Sequence, residues 1–109
     1  MATDYRVLGQ SLPSANTLST LYTVPAAKQA VISTITVCNQ ASTEAYFGIA
    51  FRQAGATQTA SQYVAMGTLL PGNDTIVLTL GITLTATDVV SVSANTATVS
   101  FGCFGSQIT

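Results

Sequence analysis

Apolar residues recur along this chain at a spacing of two, not three or four. Phe47, Ile49 and Phe51 alternate with Gly48 and Ala50, and Ile76, Leu78 and Leu80 alternate with Val77 and Thr79. Val90 and Val92 are separated by serine, and Val99, Phe101 and Cys103 by Ser100 and Gly102. A period of two is the signature of half-buried strands, whose successive side chains point to opposite faces. In the run 31–38 the core face is assigned to Val31, Ile35 and Val37. Turn-forming stretches punctuate these runs at Val24-Pro25-Ala26-Ala27, Asn39-Gln40-Ala41-Ser42, Ala54-Gly55-Ala56, Pro71-Gly72-Asn73-Asp74 and Asn95-Thr96. Strands are therefore expected near 5–10, 17–24, 29–38, 45–52, 63–70, 74–84, 88–94 and 97–104. The run 74–84 is long for one strand, and Gly81 marks a bulge or bend in it. The runs 88–94 and 97–104 read as a hairpin about Asn95-Thr96. The fold class is all-β: a compact antiparallel β-sandwich, jelly-roll-like, of about eight strands. One domain spans 1–109, with 1–10 as an N-terminal arm or edge strand and 105–109 as a short C-terminal tail.

Composition narrows what such a sandwich can do. Charged residues make up 6% of the chain, three basic and four acidic, and there is no His. An ordinary domain carries about 25% charge. A monomer of this mass exposes on the order of 5,700 Å². Each charge then has roughly 800 Å² to itself, about one partner's share of a standard interface. The chain can lie against neighbours almost anywhere without burying a charge. The net charge of −1 gives no footprint for nucleic acid or an anionic membrane and favours association. No apolar run approaches the length of a membrane helix. The first residues lack the charged-then-apolar layout of a signal peptide, so synthesis in a bacterial cytoplasm with reduced cysteines is expected.

No constellation for catalysis is present, and the chain reads as a non-enzyme. Cys38 and Cys103 have no His to act as base. Glu44, Asp74 and Asp88 each sit beside a turn, where single solvated acids are ordinary, and two cysteines without His cannot fill a zinc site. No cofactor or metal is expected. Strand parity sends Cys103 inward with Val99 and Phe101 and Cys38 outward, which argues against a bond between them. Asn73-Asp74-Thr75 fits the glycan-acceptor pattern but reads as part of the Pro-Gly turn.

The stretches Leu21-Tyr22-Thr23-Val24-Pro25-Ala26 and Val31-Ile32-Ser33-Thr34-Ile35-Thr36-Val37-Cys38-Asn39, with Pro71-Gly72-Asn73-Asp74-Thr75, Leu80-Gly81-Ile82-Thr83-Leu84 and Thr87-Asp88-Val89-Val90-Ser91-Val92, lie within 7–104. Together they resemble small virion proteins of tailed bacteriophages, and the similarity extends over most of 7–104. The resemblance implies a β-sandwich that oligomerises, a trimer being the guess, and sits on the particle. Capsid decoration or cementing is the first expectation. The alternative is a tail fibre or spike module that binds host-surface carbohydrate. Its partners would be copies of itself and other virion proteins, such as the major capsid protein or tail proteins, with no nucleic acid and no membrane. No functional residue transfers, because the matching motifs look structural. Apolar residues left over after the core faces are assigned make the candidate interface: Leu21, Tyr46, Tyr63, Met66, Leu70, Val77, Val89 and Phe104.

Overall fold

The computed structural model describes residues 3–57 and 59–109, excepting the side chain of Leu80. Each expected strand is present. In chain order they are β1 (Thr3–Ser11), β2 (Ser19–Thr23), β3 (Gln29–Asn39), β4 (Ala45–Arg52), β5 (Tyr63–Leu70), β6 (Thr75–Leu84), β7 (Val89–Ala94) and β8 (Val99–Ile108). Two single 3₁₀ turns, Gln53–Gly55 and Ala60–Gln62, lie between β4 and β5. The tail expected at 105–109 instead completes β8, which runs to Ile108 and pairs with both β1 and β3.

The strands form a sandwich of two four-stranded antiparallel sheets. Sheet A has the order β1-β8-β3-β6 and sheet B the order β2-β7-β4-β5. β1 pairs with β8, β2 with β7, β3 with β6 and β4 with β5. That is the pairing of one long hairpin, bent at the β4–β5 connection and wrapped on itself. β3 with β8 and β4 with β7 then close the two sheets. The expected β7–β8 hairpin does not form. β7 lies in sheet B and β8 in sheet A, so Asn95-Thr96 opens a crossing between layers. The alternation in both strands is real, but their apolar sides meet across the core and not along a shared ladder.

Ile35, Val37, Phe47, Ile49, Val90, Val92, Val99 and Phe101 are buried between the sheets, with Phe51, Ile76 and Leu78 packed against them in part. Leu80, expected beside Ile76 and Leu78, lies outside the described side chains. The Phe47 and Phe101 rings meet edge to face, with centroids 6.2 Å apart and planes at 68°. One core assignment is corrected. Ala30 and Ile32 are buried and Val31 is only half-buried. The β3 register slips between Ile32 and Thr34 against both neighbours: opposite β8 Ser33 is the extra residue, which reverses parity upstream, while opposite β3 the extra residue lies on β6. The slip lies opposite the segment from Thr79 to Ile82, where Gly81 takes φ 123°, as the expected bulge requires.

Candidate functional site

Arg6, Arg52, Asp74 and Asp88, four of the seven charged side chains, are engaged in hydrogen bonds within the fold. Asp88 is buried, not solvated as expected: its Oδ1 accepts from Ala54 N at 2.8 Å and its Oδ2 from Thr85 N at 3.0 Å. This carboxylate ties the turn before β7 to the 3₁₀ turn after β4. Asp74 Oδ1 accepts from Thr75 N at 2.8 Å within its own turn. Arg52 donates from Nε to Ser91 Oγ at 3.0 Å and from a terminal nitrogen to Ala56 O at 3.3 Å. Arg6 donates to Gln107 Oε1 at 3.3 Å. Among the described residues no three of Cys, Asp and Glu gather where a metal could sit. Both cysteines are free thiols. Burial pushes the Cys103 thiol up to about 12, so it is inert at neutral pH, while Cys38 is half-buried on the outer side of β3.

Asn39, expected to open a turn, is a buried junction. Its Nδ2 donates to Thr43 O at 2.8 Å and reaches Leu70 O and Pro71 O at 3.4 Å each. Its Oδ1 accepts from Ala41 N at 3.1 Å and Thr98 Oγ1 at 3.2 Å. One amide thus ties the end of β3 to the β3–β4 loop, the β5–β6 turn and the entry to β8.

What remains for interaction is the two outer faces. On sheet A the rows run Val7–Phe104–Thr34–Thr79 and Gln10–Gly102–Thr36–Val77 across four strands, with Ser100–Cys38–Thr75 beside them. β3, β6 and β8 contain no charged residue. Val77 is 60% exposed, and Phe104 is half-buried on the same face. β6 is also the sheet's outer edge, with no charge and no Pro along its ten residues. Natural edges are commonly guarded by Lys, Pro or bulges. The other sheet A edge, β1, carries Asp4 and Arg6.

On sheet B the outer row of β4 is Tyr46, Gly48, Ala50 and Arg52, facing Ser93, Ser91 and Val89 of β7, but Ala50, Ser91 and Val89 are buried, so only the half around Tyr46 and Ser93 is open. β5 adds Tyr63 opposite Ala50 and Leu69 opposite Tyr46, and Met66 stands 70% exposed beside them. A larger cleft of about 960 Å³ opens at the end of the sandwich, floored by Phe51, Ile82 and Leu84 and rimmed by Arg52, Gln62 and Thr85.

These positions divide the expected interface. Tyr46, Tyr63 and Met66 lie on sheet B, while Val77 and Phe104 lie on sheet A, so they do not form one patch. Leu21 and Leu70 are corrected to the core, and Val89 is buried on the outer side of sheet B. A bulge between Thr20 and Tyr22 turns both Leu21 and Tyr22 inward. Leu70 is the last residue of β5 and seals the core beside Asn39. Val89 is covered by the 3₁₀ turn after β4, whose Gly55 lies against it. The uncharged rows of sheet A and the small-residue row of sheet B had a signal in the sequence, namely charge-free strands and Gly48 between aromatics. Only the sheet order shows which strands share a face.

No protein-family model, curated protein or solved structure matches this chain.

Proposed function

We propose that this chain is a non-catalytic structural protein of a bacteriophage virion, which associates with copies of itself and decorates or cements the particle shell. The observation that carries the reading is the outer face of sheet A: four strands wide, without a charged residue on β3, β6 or β8, and ending in the charge-free edge of β6, which only the Gly81 bulge interrupts. Burying such a face against a neighbour desolvates no ion, so the cost that opposes most interfaces is absent. The wrapped-hairpin strand order supports the same reading, since jelly rolls recur in viral capsid domains. The exposed surface of 5519 Å² leaves roughly 800 Å² per charge, so large contacts fit between the charges. Copies would meet through Val77, Phe104 and the threonine rows of sheet A, and a closed ring such as a trimer satisfies identical subunits. Electron microscopy of intact particles containing the protein tests the assignment. Density for the sandwich at regular positions on the outer shell is the expected result. Particles that lack it, or that carry it only inside the shell, would contradict the proposal.

A further inference from the structure

The middle of the outer face of sheet B is a hollow of about 370 Å³. That is at the small end of the range typical of small-molecule sites, about 300–1,000 Å³. Its floor is Gly48 of β4 with Ser93 opposite on β7. Tyr46, Tyr63, Leu18 and Met66 form the walls, and Asn16 and Asn95 stand on the rim. A Cβ added at Gly48 would come within 3.3 Å of Ser93 Oγ and 3.4 Å of Tyr63 Cε1. The glycine therefore keeps the floor low while the tyrosine ring closes over the strand.

The rim is fixed by main-chain bonds. Asn95 Oδ1 accepts from Tyr46 N at 2.8 Å and Asn95 N donates to Tyr46 O at 3.0 Å, while Asn16 N donates to Ala94 O at 2.7 Å. The groups left over are unspent. Among the described residues, the Asn16 side-chain amide, Asn95 Nδ2, Ser93 Oγ and the hydroxyls of Tyr46 and Tyr63 have no protein partner. Five hydrogen-bonding groups thus surround a space walled by two aromatic rings, on a rim that is already ordered.

The lining also limits the occupant. It contains no charged side chain, so a phosphate or carboxylate would find no ionic partner. The floor strands β4 and β7 are each paired on both sides, so no peptide can add there as a strand. Hydroxyl and amide groups that both donate and accept suit a ligand made of hydroxyls. Aromatic walls suit one that also has an apolar face. We propose that this hollow binds a neutral sugar ring, with one face against Tyr46 and Tyr63 and its hydroxyls on Asn16, Ser93 and Asn95. The site stands apart from the assembly proposed above, which uses the opposite sheet.

The test is a titration of the isotope-labelled protein, followed by amide NMR, with glucose, galactose and N-acetylglucosamine in turn. At least one sugar is expected to give saturable shifts at the amides of Tyr46, Gly48, Ser93 and Asn95, with Kd on the order of 1 mM. Tyr46→Ala should weaken binding about tenfold or more; it removes an exposed ring and keeps the main-chain bonds to Asn95. Tyr46→Phe should keep most of the affinity, and Val77→Lys, on the other sheet, all of it. Val77→Lys also separates this outcome from the assembly, which that substitution should disrupt. Absence of saturable shifts at these amides with all three sugars overturns the proposal. So do shifts that persist unchanged in Tyr46→Ala, or that Tyr46→Phe abolishes as fully as Tyr46→Ala.

Discussion

Asn39→Ala should destabilise the fold, although the residue stands in what the sequence presents as a turn. Asn39 is 1% exposed. The truncation removes the donor to Thr43 O at 2.8 Å and the acceptor of Ala41 N at 3.1 Å. It also removes the longer contacts to Leu70 O and Pro71 O. Thr98 Oγ1 keeps Thr96 Oγ1 at 2.8 Å, so its loss counts for little. A buried group left unpaired costs about 1–3 kcal/mol. Thr43 is exposed and both bonds are only part-buried, so water partly replaces them, and the two groups together give about 2 kcal/mol. For a domain of this size that is a fall in Tm of roughly 8 °C. Urea unfolding of wild type and variant measures it as a shift in midpoint at constant slope. Asn39→Asp sharpens the test. It keeps an acceptor for Ala41 N but turns a carboxylate oxygen toward the three carbonyls that Nδ2 now serves. That environment raises the carboxyl's folded-state pKa. The variant should therefore be most stable below the unfolded value, about 3.9, and lose stability as pH rises through the folded value. A cost below about 1 kcal/mol for Asn39→Ala would refute the junction.

Phe101→Ala should cost about 3–5 kcal/mol in the same assay, because it empties the ring site facing Phe47 across the two sheets; a loss near 1 kcal/mol would mean that the core collapses to fill it. At pH 8, thiol labelling of native protein should modify Cys38 and leave Cys103 untouched until the protein unfolds. Cys103 is held up to about 12 by burial, so its neutral form contributes stability that is complete below the unfolded value of 9.0 and is lost as pH rises toward about 12. Tyr22, also raised chiefly by burial, adds to that alkaline loss, and Cys103→Ala should flatten it in pH-dependent unfolding.

Strand positions were legible because alternation is a local property. The bounds of β4 and β5 match the expected 45–52 and 63–70. Partners were not legible. β7 and β8 are adjacent in sequence and joined by a short turn, the usual preconditions of a hairpin, yet they lie in different sheets. Nothing in Asn95-Thr96 distinguishes a turn within a sheet from one between sheets. Parity failed where the chain adds a residue. Ser33 reversed the assignment of Val31 and Ile32, and the bulge before Tyr22 drew Leu21 inward. Gly81 announced its irregularity because its conformation needs glycine; Ser33 did not, because a bulge residue can be almost anything. The hollow on sheet B was visible in the sequence only as Gly48 near Tyr46. Its other residues come from β5, β7 and the β1–β2 connection, and only the fold brings them together.

The claim that the sheet A face is a self-association surface is tested most directly by analytical ultracentrifugation at low and high salt, on wild type and Val77→Lys. Contacts made by valine, phenylalanine and threonine rows carry no screened charge. Wild type should therefore sediment as the same oligomer, a trimer by this account, at both salt concentrations. Val77→Lys, a charge placed at a position 60% exposed on the edge strand, should sediment as a folded monomer. A wild type that is monomeric at micromolar concentration, an oligomer that salt dissolves, or one that Val77→Lys leaves intact would contradict the account.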